Sequence, residues 1–204
     1  MQAVRAFMKS LGTALVDLRY GAILKGKIPS NYSHLGATDT INSDYKVLEK
    51  LFLNQIRPSD VLVDIGCGKG RVLNWWLEKY RDREIYGIEL DPVIAEQTRR
   101  RLRRHRNVTI LTGDACFLIP NEGSLFYLFH PFDGTVMRRF AEEIRKNPRA
   151  ANGLLRRIIY FNSIHIDVFE GNPCFSIKEV APMYNLNGAV IDCTGFKLQN
   201  PSEI

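Results

Sequence analysis

The chain has 204 residues, of which 45% are hydrophobic and 25% are charged. This size and balance suit one globular domain with a sizeable core and exclude a disordered chain. The four cysteines are scattered without a C-x-x-C pair, so the sequence predicts neither a zinc site nor a disulfide framework, and a reducing cytoplasm is expected. The net charge of +6 permits an acidic partner but names none.

The first 57 residues are predicted to form a helical preamble packed on a domain of residues 58–204. Apolar residues recur at helical spacing near the start and predict an amphipathic helix lying on the domain: Val4, Phe7, Met8, Leu11, Leu15 and Leu18. A membrane-surface helix is the alternative, but we expect no membrane partner and no export signal. A second helix is expected around residues 44–53, with Thr38 or Asp39 as its N-cap.

From Ser59 onward, short apolar runs alternate with helical patterns, which is typical of βαβ units. The predicted strands are 61–65, 84–90, 108–111, 125–129 and 158–161, and the predicted helices are 69–80, 92–104 and 135–146. Two late runs, 175–181 and 189–196, flank the Asn187-Gly188 step, which favours a hairpin. The sequence therefore predicts an α/β fold with a doubly wound, Rossmann-like, mainly parallel sheet of seven strands that ends in an antiparallel hairpin.

Three glycines, Gly66, Gly68 and Gly70, stand between the first predicted strand and the helix after it. Residues without side chains let a ligand approach the main chain, and the helix start presents free N–H groups. A tight structural turn is the alternative interpretation. Asp64 lies in the same motif, and a carboxylate there favours a cation over a pyrophosphate.

Two further carboxylates follow the next two strands. Glu89 closes the second strand, where doubly wound folds place an acid on ribose hydroxyls. Asp114 follows the third strand, where its oxygens are acceptors for an adenine amino group. Each of the three acids could instead cap a turn or stay solvated. Because the carboxyl ends of parallel strands share one edge, we expect Asp64, Glu89 and Asp114 to surround one ligand.

Segments 63–70, 87–91 and 113–115 resemble the motifs of class I, Rossmann-like S-adenosylmethionine-dependent methyltransferases. The resemblance implies that the glycine loop contacts the amino-acid part of the cofactor, the end of the second strand its ribose, and the segment after the third strand its adenine. The residues so assigned to S-adenosyl-L-methionine are Asp64, Gly66, Cys67, Gly68, Gly70, Glu89, Leu90, Asp114, Ala115 and His130.

His130-Pro131-Phe132 follows the fourth strand, where amino-methylating members of the family often carry Asp or Asn, two prolines and an aromatic residue. His130 is the candidate catalytic base because an imidazole titrates near neutral pH, and Phe132 is a candidate wall of the acceptor pocket. A main-chain hydrogen bond for His130 and a core contact for Phe132 are the alternatives. Asn162 and His165 are expected at the same edge.

Two other features bear on the acceptor. Arg71 and the segment Thr38-Asp39-Thr40 resemble residues of the small family members that methylate protein lysines. Tyr32 and Tyr45 are expected either to roof the cofactor or simply to pack against other residues. The arginine-rich run 99–106 suggests an RNA contact, although a solvated helix face explains it as well.

The sequence therefore predicts an S-adenosylmethionine-dependent methyltransferase that acts on a protein side chain or a small molecule, with RNA as a further candidate. One alternative is a catalytically inactive basic binding module that keeps the fold. Another is a nicotinamide dehydrogenase, which the G-x-G-x-G spacing disfavours because that class uses G-x-G-x-x-G.

Overall fold

The computed structural model describes residues 2–195, with side chains from residue 11 onward. Its described part contains one seven-stranded sheet with the order β3-β2-β1-β4-β5-β7-β6. The strands are β1 Leu62–Ile65, β2 Ile85–Glu89, β3 Val108–Thr112, β4 Leu125–Phe129, β5 Arg157–Phe161, β6 Phe175–Met183 and β7 Leu186–Cys193. Phe196, the predicted end of the last strand, lies outside the described residues. The first five strands are parallel, and β7 runs antiparallel to β5 and β6. This topology confirms the predicted fold class.

Five α-helices accompany the described sheet: α1 Gln2–Arg19, α2 Tyr45–Leu51, α3 Arg71–Lys79, α4 Pro92–Leu102 and α5 Gly134–Lys146. Apolar side chains cover both faces of the sheet, as parallel strands require. On one face Trp76 and Phe52 pack edge to face, and on the other Phe126 meets Phe140. The central strands are therefore nearly free of solvent contact: every residue of β1 is buried, and in β4 only Phe129, at the carboxyl end, is partly exposed.

The N-cap of α2 differs from the prediction. Asp44 caps this helix, because its Oδ1 accepts the main-chain N–H of Lys46 at 2.9 Å. Thr38 and Asp39 belong to an irregular segment that runs across the sheet edge, held by isolated bridges that pair Ile28 with Thr40 and Ala37 with Phe132. The preamble is thus helical only in α1, α2 and a short 3-10 turn.

The side chains of Val4, Phe7 and Met8, half of the predicted packed face of α1, lie outside the described residues, and the described half of that face is exposed. Leu15 is 59% exposed, and Leu11 and Leu18 are exposed as well, whereas Asp17 is 0% exposed and faces the domain with Tyr20. The helix is oriented by polar contacts of Asp17, described below, and its leucine stripe turns to solvent. None of the described helices has the length and apolar character needed to cross a membrane.

The C-terminal hairpin is present, but its turn lies three residues before the predicted one. Tyr184 and Asn185 connect β6 to β7, with φ values of 53° and 61°. Two successive positive φ angles are the geometry of a type I′ turn, whose twist matches that of the flanking strands. Asn187 and Gly188 instead lie inside β7, where Gly188 pairs with Phe161 of β5.

Candidate functional site

A cavity of about 430 Å³ opens at the carboxyl ends of β1, β2, β3 and β4. Its floor is the turn between β1 and α3, its sides are the ends of β2 and β4, and the irregular segment 29–43 covers it. Open α/β sheets bind their ligands at this edge, and the volume is that of a small-molecule site. The cavity is therefore the candidate functional site.

The glycine turn is built so that two neighbours lie directly against its main chain. Gly66 and Gly68 have φ values of 73° and 51°, which side chains rarely adopt. A Cβ on Gly66 would lie 2.9 Å from the Cβ of Pro131, and a Cβ on Gly68 would lie 2.5 Å from Cγ2 of Thr40. The absent side chains thus let the β4 turn and the covering segment close on the loop.

Gly70 allows close packing between elements and does not line the cavity. It is the residue before α3, with a φ of 75°, and it donates its N–H to the carbonyl of Cys67 at 2.8 Å. A Cβ at this position would meet Nη2 of Arg101 at 2.8 Å and Cγ2 of Thr98 at 2.9 Å. For Gly70 the structural interpretation of the motif holds, whereas Gly66 and Cys67 line the cavity.

Asp64 lies on β1 at the bottom of the cavity with 3% of its surface exposed. No donor among the described residues reaches its carboxylate. Burial, together with the nearby Glu89, raises the pKa of Asp64 well above its usual range. A buried carboxylate without a donor is costly, so a cation that enters here gains a strong partner.

Glu89 connects the end of β2 to the glycine turn. Its Oε2 accepts the N–H of Gly68 at 2.8 Å, and its Oε1 accepts the N–H of Asp91 at 3.0 Å. Burial raises the pKa of Glu89, while these main-chain bonds act in the opposite direction. Each oxygen keeps a lone pair, and Leu90 continues the same wall.

Asp114 and Ala115 line the cavity beyond β3, as predicted. Asp114 is already engaged, because its Oδ1 accepts the N–H of Cys116 at 2.9 Å and its Oδ2 lies 3.1 Å from Nη2 of Arg139 on α5. The guanidinium of Arg139 also lies 5.4 Å from the ring centre of the exposed Phe117. Asp114 is thus a fixed acceptor at the rim.

His130 does not form part of the wall, although its neighbours Phe129, Pro131 and Phe132 do. With a φ of 42°, His130 turns the chain so that its ring packs against His165, with centroids 5.5 Å apart. Burial and His165 lower the pKa of His130. Its predicted roles stay predictions, and Pro131 and Phe132 are the residues of this turn that the cavity contacts.

The segment over the cavity is bound to the β4 turn by main-chain hydrogen bonds. Thr38 donates its N–H to the carbonyl of Pro131 at 3.1 Å and its hydroxyl to the carbonyl of His130 at 2.6 Å, and Asp133 donates its N–H to the carbonyl of Gly36 at 2.8 Å. The sequence indicated this cover only through the Thr38-Asp39-Thr40 resemblance and the expectation for Tyr32.

Tyr32 and Tyr45, each expected either to roof the cofactor or to pack, lie in different places. Tyr32 lines the cavity. Tyr45 lies outside the wall and donates its hydroxyl to Oδ1 of Asp17 at 2.7 Å.

The arginine-rich run does not form one basic face. Arg101 donates to the carbonyls of Tyr20 and Lys69, both at 2.7 Å, and to Oδ1 of Asn74 at 2.8 Å. Arg99 donates to the carbonyl of Ile110 at 3.0 Å. These side chains hold elements together.

The cavity wall is acidic although the whole chain is basic. Six carboxylates line it: Asp39, Asp64, Glu89, Asp91, Asp114 and Asp133. The lining lysine and arginine side chains are Lys69, Arg71 and Arg139, and each already contacts an oxygen of the protein. The site therefore favours a ligand with positive charge.

The comparisons with known proteins agree with this geometry. Residues 62–148 match the family model described as a methyltransferase domain. Two curated relatives are a protein-L-isoaspartate O-methyltransferase 2 of Nitrosococcus oceani, 30% identical over 117 residues (55% of this chain), and an Archaeoglobus fulgidus protein named "Probable cobalt-precorrin-6B C(15)-methyltransferase (decarboxylating)", 39% identical over 57 residues (28% of this chain). This chain spans only 48% and 32% of the length of these relatives.

Solved structures of low sequence identity share the fold. The SAH-bound methyltransferase PaMTH1 of Podospora anserina has a TM-score of 0.57 at 17% identity, covering 74% of this chain and 79% of its own. A precorrin-6y C5,15-methyltransferase of Geobacter metallireducens has a TM-score of 0.56 at 14% identity, covering 74% and 89%. The fold is thus shared with these methyltransferases, and the match of residues 62–148 to the methyltransferase domain model agrees with the resemblance seen in the sequence.

Proposed function

We propose that this protein is an S-adenosylmethionine-dependent methyltransferase whose cofactor lies in the cavity at the strand ends. The observation that carries the proposal is Asp64, a buried carboxylate beside the glycine turn with no donor among the described residues. The cofactor brings an ammonium and a sulfonium, and either cation offsets the cost of this buried acid.

The other wall residues fit the remaining parts of the cofactor. Glu89 keeps lone pairs for ribose hydroxyls, because each of its oxygens accepts one main-chain N–H. Asp114 and Ala115 lie at the rim beyond β3, where Asp114 is held by Arg139 and Cys116 and offers an acceptor for the adenine amino group. The matched domain and the cofactor named in the structural neighbours support this assignment.

When bound, the cofactor supplies a methyl group already activated on a sulfonium, and its leaving thioether is neutral. The residues of this chain then have to orient the acceptor and exclude water, and orientation alone lowers a barrier by about 7–11 kcal/mol. Pro131, Phe132 and the cover of residues 29–43 form the walls that do this. His130 stays the candidate base for acceptors that release a proton, since its lowered pKa keeps the imidazole neutral near pH 7.

For the acceptor, we favour a protein side chain or a small molecule over RNA. The acidic wall repels phosphates, and none of the arginines in the run 99–106 lines the cavity. We also place the protein in the cytoplasm, because its four cysteines are buried and free. Residues 58–204 would form the catalytic domain, and residues 1–57 would form a preamble packed on it.

Isothermal titration with S-adenosylhomocysteine (SAH) and with NAD tests the cofactor assignment. Asp64→Asn and Glu89→Gln should each weaken SAH binding at least about tenfold, because each removes a charged partner. The matched controls Asp82→Asn and Glu122→Gln change exposed acids outside the wall and should bind SAH normally. Unchanged affinity in both cavity variants, or preference for NAD, would refute the site.

Transfer of tritium from labelled cofactor into a fractionated lysate tests the activity and the acceptor together. Label in the protein or small-molecule fraction is the expected result. Label in RNA would overturn the proposed acceptor class. SAH binding with no label in any fraction would favour the inactive binding module.

A further inference from the structure

Arg71 stands at the cavity wall on the first turn of α3, and a buried acid of α1 holds it there. Its Nη2 lies 2.7 Å from Oδ2 of Asp17, and its Nε lies 3.3 Å from Oδ1 of the same residue. Nη2 also donates to the carbonyl of Leu24. Asp17 is 0% exposed and accepts two further bonds, from the N–H of Leu24 at 3.1 Å and the hydroxyl of Tyr45 at 2.7 Å. The guanidinium is therefore fixed in position.

This fixed cation keeps unused binding capacity. The contacts to Asp17 and Leu24 involve only Nε and Nη2, and the N–H groups of Nη1 have no acceptor among the described residues. The start of α3 lies beside it and has no side-chain cap, since Gly70 occupies the capping position. A helix start carries free N–H groups and partial positive charge. Arg71 and this helix start together form a positive corner in an otherwise acidic cavity.

We infer that Arg71, oriented by Asp17, binds the carboxylate of the cofactor's amino-acid end. The inference rests on the proposed function. The amino-acid end is a zwitterion, and the floor of the cavity offers a matching pair of charges, with Asp64 for the ammonium and Arg71 with the α3 start for the carboxylate. Asp17 acts through Arg71 as a positioning residue. Helix α1 thereby belongs to the cofactor site although none of its described side chains, from residue 11 onward, lines the wall.

Two ligands that differ only at the amino-acid end separate this role from a structural one. SAH carries the zwitterion, whereas 5′-methylthioadenosine keeps the adenosine and the sulfur and lacks it. Calorimetric titration of Arg71→Met should show SAH affinity reduced on the order of tenfold to a hundredfold, with 5′-methylthioadenosine affinity unchanged. The matched control is Arg19→Met, which removes another α1–α3 ion pair, with Glu78, and should leave both affinities unchanged.

Asp17 is tested with the same pair of ligands. Asp17→Asn should lower the ratio of SAH to 5′-methylthioadenosine affinity by a few-fold, and Asp17→Glu should restore part of it, because a carboxylate again faces Arg71. Equal weakening of both ligands by Arg71→Met would assign Arg71 to the fold alone, and unchanged SAH affinity would also overturn the inference. Failure of the wild-type protein to bind either ligand would instead overturn the proposed function.

Discussion

The carboxyl edge and the amino edge of the sheet differ in charge. Six carboxylates surround the cavity at the carboxyl edge. At the amino edge, the turns 80–84 and 103–107 meet through Asn107, which donates to the carbonyls of Arg81 and Arg83. These turns carry five arginines, Arg81, Arg83, Arg103, Arg104 and Arg106, against two acids, Asp82 and Glu84. These turns thus contribute three of the six net positive charges at the edge opposite the site, and the net charge of the chain does not describe the ligand.

The largest expected effect is a loss of stability on replacing Arg101, the arginine of the run 99–106 that holds the cavity edge together. Arg101→Leu removes the donor of two main-chain carbonyls and of Asn74, so the free energy of unfolding should fall by about 2–4 kcal/mol. Urea unfolding measures this loss. The control Arg104→Leu, at an exposed position of the amino edge, should change the free energy of unfolding by no more than about 0.5 kcal/mol. Equal losses of stability in the two variants would contradict the distinction between the structural Arg101 and the exposed arginines of the run.

A smaller change, this time a gain in the free energy of unfolding, is expected on replacing Asp64 at the cavity floor. Folding raises the pKa of Asp64 above its unfolded value of about 3.9, so wild-type stability falls as the pH rises from about 4 through the folded pKa. Asp64→Asn escapes this loss and should raise the free energy of unfolding by about 1 kcal/mol at pH 8, with the gain vanishing near pH 4.

Unfolding curves of Asp64→Asn at several pH values, with Asp82→Asn as the control, check this dependence. The same variant is expected to lose cofactor affinity, so stability and binding should change in opposite directions. A variant less stable than wild type at pH 8 would show that Asp64 supports the fold.

The smallest effect should come from the exposed arginines of the amino edge. Changing Arg103, Arg104 and Arg106 together to Gln should alter SAH affinity by less than about twofold and stability by less than about 0.5 kcal/mol. Methyl transfer from labelled cofactor at 50 and 200 mM salt should also match wild type, since no phosphate contact is lost. A reduced transfer that depends on salt would make this edge an acceptor surface.

Sequence patterns predicted the sheet well because its strands are apolar runs between turn residues. Strand 125–129 matches β4 at both ends. The three acids also lie along one cavity as predicted, since parallel register brings Asp64 beside Gly87 of β2 and Tyr127 of β4. These features depend on local pattern and on a regular topology, and both can be read from the chain.

The wrong face predicted for α1 has a different cause, because it depends on a contact distant in sequence. The leucine spacing of α1 predicted its buried face, but Asp17 is drawn inward by Arg71, 54 residues later. The packing of the His130 ring on His165, 35 residues later, also could not be read from the chain, and the predicted role of His130 stays a prediction. A single sequence does not indicate such pairings, and Asp17 was missed because an acid in an amphipathic helix ordinarily faces solvent.

The hydrogen bonds between the covering segment and the β4 turn have a kinetic consequence. Thr38 and Gly36 are bound to residues 130–133, which include the Pro131 and Phe132 walls of the proposed acceptor pocket. Opening the cover breaks these bonds, so cofactor exchange and rearrangement of the acceptor walls are one event. Under the proposed function we expect this opening to limit product departure, so that a tighter cover slows turnover without changing the methyl-transfer step.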